Sequence, residues 1–88
     1  SGFNAIVMQK EKCIRLSWQP PTGEVFSYQI YRSTGEGKLL LIKTIENGTI
    51  TTFEDQNVTS GNTYHYTIKY MLKSGIHGLP ATVLIIQY

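Results

Sequence analysis

Few residues in this 88-residue chain offer chemistry. His65 and His77 are its two histidines and Cys13 its single cysteine. Nucleophilic catalysis needs one of those histidines beside a serine or Cys13, with a carboxylate to orient the ring. His65 falls in a stretch where Tyr64, Tyr66, Ile68 and Tyr70 alternate with His65, Thr67 and Lys69, so it takes the polar, solvent side. His77 falls in the turn Ser74-Gly75-Ile76-His77-Gly78. This spacing assembles no acid–base set, so no catalytic residue is assigned and the chain reads as a non-enzyme. A zinc site from His65, His77 and Cys13 would need three separate elements to converge. Solvated side chains are the preferred reading, and no metal or cofactor is expected. Cys13 alternates away from Ile14, Leu16 and Trp18, which predicts a partly exposed thiol, inert for want of a neighbouring acid or base.

Two further sets of residues could engage a ligand or a modification. Tyr31, Tyr70 and Tyr88 could form an aromatic platform for sugar rings, but rings that cover core edges and turn corners are the preferred reading. Asn47-Gly48-Thr49 and Asn57-Val58-Thr59 both satisfy the N-glycosylation triplet. Chance in a turn-rich, threonine-rich chain accounts for them, and Asn47-Gly48 already carries a turn signal. Ligand-binding residues are left unassigned.

Composition sets the frame. Eighty-eight residues predict one domain over 1–88 with a thin core. A hydrophobic content of 41% with 16% charged residues suits a globular chain and excludes a disordered or coiled-coil one. The formal charge of +2 is spread along the sequence, so no nucleic-acid partner is expected. No apolar run approaches the ~18 residues of a membrane span, so no membrane insertion is expected. One cysteine forbids an intrachain disulfide but sets no compartment. The first three residues carry no charged region before an apolar stretch, so the chain reads as a module excised from a larger protein, whose targeting signal lay elsewhere.

Seven strands follow from the period-two patterns and the turn residues between them: 3–8, 13–18, 26–32, 38–45, 49–54, 63–72 and 79–88. Ile14, Leu16 and Trp18 share one face of the second, which Pro20 and Pro21 end; Tyr28 and Ile30 share one face of the third. Asn47-Gly48 predicts a two-residue type I′ hairpin between the fourth and fifth strands. Two segments do not alternate: Leu39–Ile42 and Val83–Ile86 are apolar on both sides, which leaves their inward faces open. Either a neighbouring domain packs there or they are ordinary exposed residues. Short strands at regular spacing, with no helical period, predict a seven-stranded β-sandwich.

Four pieces in order support a resemblance. The second strand ends Trp18-Gln19-Pro20-Pro21. The third reads Tyr28-Gln29-Ile30-Tyr31-Arg32-Ser33. The corner reads Phe53-x-Asp55-x-x-Val58-x-x-Gly61, and Tyr64-x-Tyr66 follows. Over essentially its whole length the chain resembles a fibronectin type III domain, an immunoglobulin-like all-β sandwich, in its bacterial form. The resemblance implies that Trp18 sits mid-core, that Tyr64 is a corner tyrosine bonded back to upstream backbone, and that Val58 plugs the end beneath it. The integrin-binding Arg-Gly-Asp and the receptor Trp-Ser-x-Trp-Ser motifs are both missing, so those activities do not carry over. A bacterial member is expected to be extracellular, cell-surface or periplasmic, to pack against neighbouring domains of its own chain, and to serve as a spacer of the kind often set beside polysaccharide-degrading domains. The alternative is a module that binds glycan or protein through loops and exposed tyrosines.

Overall fold

The computed structural model describes residues 2–88. It holds seven strands: β1 (Asn4–Met8), β2 (Cys13–Ser17), β3 (Val25–Thr34), β4 (Leu40–Ile45), β5 (Thr52–Asp55), β6 (Thr63–Leu72) and β7 (Leu84–Gln87). They form a three-stranded sheet, β1-β2-β5, and a four-stranded sheet, β4-β3-β6-β7, with every pairing antiparallel. The inward residues of both sheets make one core of Ile14, Leu16, Trp18, Val25, Tyr28, Ile30, Ile45, Tyr64, Tyr66 and Ile68. The all-β sandwich expected from the sequence is therefore observed.

Alternation explains most of this core. Tyr28 and Ile30 on β3 lie opposite Tyr70 and Ile68 on β6, all on the inward side. The Trp18 ring packs at 59° to the Tyr28 ring with centroids 5.2 Å apart, a tilted contact suited to the ring quadrupoles. Val58 and Phe53 pack against the same core from one end.

The two doubly apolar segments resolve differently. The β3–β4 register runs from Ile30↔Lys43 to Tyr31↔Leu41, so Ile42 is a bulged extra residue. It turns Ile42 toward the core and leaves Leu40 65% and Leu41 52% exposed. In β7, Ile86 packs inward and Ile85, 66% exposed, faces out.

Four expectations need correction. Asn47-Gly48 is not a type I′ hairpin. Strand β4 belongs to one sheet and β5 to the other, and neither residue has positive φ. The chain instead crosses between sheets through a turn closed by the Ile50 N–H donating to the Asn47 carbonyl at 3.1 Å. Gly48 is needed there for another reason: a Cβ would run into the Val25 backbone. The last strand spans only Leu84–Gln87 rather than 79–88. Pro80 has no N–H to donate, and the preceding residues touch β6 through single bonds, Gly78 N–H to the Tyr70 carbonyl and Ala81 N–H to the Ile68 carbonyl. That segment covers Thr67, whose hydroxyl donates to the Ala81 carbonyl at 2.6 Å, so Thr67 is buried rather than solvated. Cys13, finally, is fully buried. It lies on the outward side of β2, the central strand of its sheet, opposite Met8. A small side chain beside the longer Met8 loses its access to water. Burial pushes its thiol pKa up, and the Glu54 charge adds to the effect.

The burial of Cys13 has a direct readout. A thiol-specific chromogenic reagent at mild alkaline pH should leave the native protein unmodified and titrate one thiol once urea unfolds it. Fast reaction in the native state would mean that the outer face of β2 is open.

Candidate interaction surface

The residues singled out in the sequence do not converge. Tyr31 lies on the outer face of the four-stranded sheet, with the Lys69 ammonium 5.0 Å from its ring centroid. Tyr70 is on the inward side at one end, its ring packed so closely on Gly78 that no Cβ fits there. Tyr88 sits at the opposite end, its N–H donating to the Asn62 carbonyl. The three tyrosines therefore make no common platform. His65 is half-buried on the outer face of β6, between Ser33 on β3 and Ile85 on β7, while His77 bridges to Met71 in the last turn. Among the described residues no three of His, Cys, Asp and Glu cluster as metal ligands, and no helix is long and apolar enough to cross a membrane.

What the structure does bring together is a buried polar network that the sequence reading passed over. Asp55, at the end of β5, is buried with its carboxylate between the sheets. Arg32 Nη1 donates to both of its oxygens, at 2.9 and 2.7 Å. The Tyr66 hydroxyl donates to Oδ2 at 2.6 Å, and the Asn57 backbone N–H donates to Oδ1 at 3.2 Å. Arg32 and Tyr66 are cross-strand partners on β3 and β6. One carboxylate on the three-stranded sheet thus ties two strands of the four-stranded sheet. Burial, then the hydrogen bond to Asp55 and its charge, drive the Tyr66 pKa far above the ordinary tyrosine range. The sequence did carry a signal. Tyr28, Ile30 and Arg32 share one side of β3, and an arginine on an inward face demands a buried acid.

Beside the network stands the corner. The Tyr64 hydroxyl accepts from the Thr59 backbone N–H at 2.7 Å and from Asn62 Nδ2 at 3.2 Å. Burial alone would raise its pKa, but the donations from Asn62 and Thr59, with the nearby Arg32 charge, leave it lowered. The expected corner, bonded back to upstream backbone, is present. The Arg32 guanidinium carbon lies 5.8 Å from the Tyr64 ring centroid, which joins corner and network into one unit.

Two of the surface grooves have aromatic and aliphatic walls. On the outer face of the four-stranded sheet, Leu39, Tyr31, Lys69 and Val83 line a shallow groove of about 400 Å³, with the exposed Leu41 and Ile85 on the same face. Between the sheets at one end, Phe3, Trp18, Pro21, Tyr28, Tyr70 and Leu79 line a second groove of about 360 Å³. Gly2 and Tyr88 lie at opposite ends of the sandwich. Gly2 abuts Gln19 at the end of β2, whereas Tyr88 bonds Asn62 at the turn before β6.

The network and the corner differ in energetic weight. Asp55→Ala leaves Arg32 without its buried partner and should cost roughly 3–5 kcal/mol of unfolding free energy in urea. Tyr64→Phe removes one acceptor and should cost about 1 kcal/mol. Wild-type denaturation midpoints in both variants would refute the two assignments.

Comparison with known proteins agrees with this architecture. No family model matches the chain. An amylopullulanase of Thermoanaerobacterium thermosulfurigenes is 45% identical over 65 residues, which are 74% of this chain and 3% of that protein. The chain thus spans a small fraction of the curated relatives it matches. Among solved structures, a Fn3-like protein from Clostridium thermocellum superposes with a TM-score of 0.78 at 27% identity, covering 99% of this chain and 88% of that one. The sixth fibronectin type III domain of human fibronectin type III domain containing protein 3 has a TM-score of 0.79 at 14% identity, covering 99% and 80%, a likeness of fold alone. With its seven strands in two sheets, corner tyrosine and core tryptophan, the chain has the fold of the fibronectin type III-like domains.

Proposed function

We propose that this chain is a non-catalytic module that spaces and orients neighbouring domains of an extracellular or cell-surface protein acting on polysaccharide. The observation that carries this reading is the placement of Gly2 and Tyr88 at opposite ends of a body measuring 41 × 26 × 20 Å. Domains attached at both ends would be held in line along the long axis. The Asp55 network and the Tyr64 corner make the body between them stiff, which a spacer requires. The exposed apolar residues of the four-stranded sheet, Leu41 and Ile85 foremost, suit packing against a neighbour in the same chain. The likeness to amylopullulanase, of which this chain matches only a small part, supports the polysaccharide setting. No side chain is assigned to chemistry.

The second reading is a glycan- or protein-binding module. The groove beside Trp18, Tyr28 and Tyr70 favours it, since aromatic walls stack on sugar rings.

Both readings are tested on the folded chain. Two copies joined head to tail should show, by small-angle scattering, a maximum dimension longer by about the 41 Å of one body; a compact, folded-back pair would defeat the in-line reading. Retention on insoluble or soluble polysaccharides that disappears in Tyr31→Ala or Tyr70→Ala would establish binding instead. A quenched fluorescence of Trp18, the single tryptophan, would locate that binding in the groove.

A further inference from the structure

We propose that Asn47 is a site of spontaneous deamidation, promoted by the fold of its own turn, and that Asn57 is not. The Asn47 side-chain carbonyl oxygen accepts two hydrogen bonds from Thr49, one from its backbone N–H at 3.0 Å and one from its hydroxyl at 2.7 Å. Asn47 and Thr49 are exposed, so water reaches both. The following residue must be glycine, because a Cβ at position 48 would meet the Val25 backbone. The packing of the loop therefore imposes, right after Asn47, the residue that least hinders ring closure.

The chemistry follows from this arrangement. Hydroxide removes the proton of the Gly48 amide nitrogen, which forms a bond to Cγ of Asn47. The negative charge that develops on Oδ1 is met by the two Thr49 donors, as in an oxyanion hole. The Cγ–Nδ2 bond then breaks, and the nitrogen takes a proton from water and leaves as ammonia. Water opens the resulting cyclic imide at either carbonyl, giving aspartate or isoaspartate. The net change is one amide and one water converted to one carboxylic acid and one ammonia, with no oxidant or reductant.

Asn57 is exposed as well, but it lacks the glycine and the two donors to its side-chain carbonyl. Its neighbour Val58 is β-branched and packed against the core, which obstructs closure. The hydrogen bond recorded for Asn57 is made by its backbone N–H, to Asp55. The consequence at Asn47 is local and directional. A carboxylate lowers the formal charge by one from +2. An isoaspartyl linkage also inserts a methylene ahead of Gly48, whose carbonyl accepts from the Tyr28 hydroxyl at 3.3 Å and whose backbone abuts Val25. The reaction would loosen this crossover from the core.

The test is to incubate the folded chain at 37 °C and mild alkaline pH and to follow each asparagine by peptide mass spectrometry and enzymatic isoaspartate labelling. Asn47 should convert with isoaspartate as a product while Asn57 stays intact. Thr49→Val keeps the backbone donor, removes the hydroxyl and should slow conversion by about tenfold, a modest share of what a preorganised oxyanion donor supplies. Conversion of Asn57 at the same rate as Asn47, or an unchanged rate in Thr49→Val, overturns the proposal.

Discussion

The buried Asp55 carboxylate is the constraint on which the rest of this small sandwich depends. A domain of this size has little apolar surface to bury, and two sheets held by side-chain packing alone can slide over each other. Asp55 limits that freedom, because its two oxygens meet one guanidinium, one phenol and one backbone N–H in fixed directions. A desolvated ion pair is weak evidence for net stability, since removing two charges from water costs about what their attraction returns. Its role here is to specify geometry: the register of β3 against β6 and the position of β5 across the core are correct only when all three donors reach the same carboxylate.

The corner completes this unit. Tyr64 buries its ring and uses its hydroxyl to accept from the turn between β5 and β6, so the backbone that delivers Asp55 is itself tied to β6. The rings of Tyr64 and Tyr66 lie 6.4 Å apart, with Arg32 beside the former. Polar network and aromatic core are thus one body in the half of the domain that holds Tyr88. The other half relies on apolar packing, with Trp18 on Tyr28 and Phe3 and Leu72 at its margin. It also holds the groove and the Asn47 turn. Rigidity and openness are divided between the two ends, which suits a module that must be stiff along its axis and still offer contact surface.

The outer surfaces show how sheet edges shape what a partner can meet. Strand β4 is an edge strand with two exposed leucines, Leu40 and Leu41, a pattern that invites pairing with another chain. The bulge at Ile42 and the charge of Lys43 disturb that edge, and both features blunt edge-to-edge association. The apolar side chains are therefore better suited to packing on a face than to pairing along the edge.

Much of this was legible in the residues themselves. Period-two alternation placed Tyr64, Tyr66, Ile68, Ile14, Leu16, Tyr28 and Ile30 on inward faces, because a strand has only two sides and water is tolerable on one. Proline and glycine marked the turns, because they restrict or extend φ locally. The corner tyrosine was legible through the resemblance carried by Asp55, Val58, Gly61 and Tyr64, not from alternation alone. What only the tertiary structure decided depends on partners distant in sequence. Asn47-Gly48 has the local form of a hairpin, yet the pairing of β5 with β2 rather than β4 makes it a crossover. Cys13 alternates outward, yet the longer Met8 beside it on the neighbouring strand buries it. Leu39–Ile42 has no inward side in its own pattern, and a bulge against β3 selected one. Arg32 on an inward face announced that an acid must meet it; that the acid is Asp55, from the opposite sheet, was settled by the packing of the two sheets.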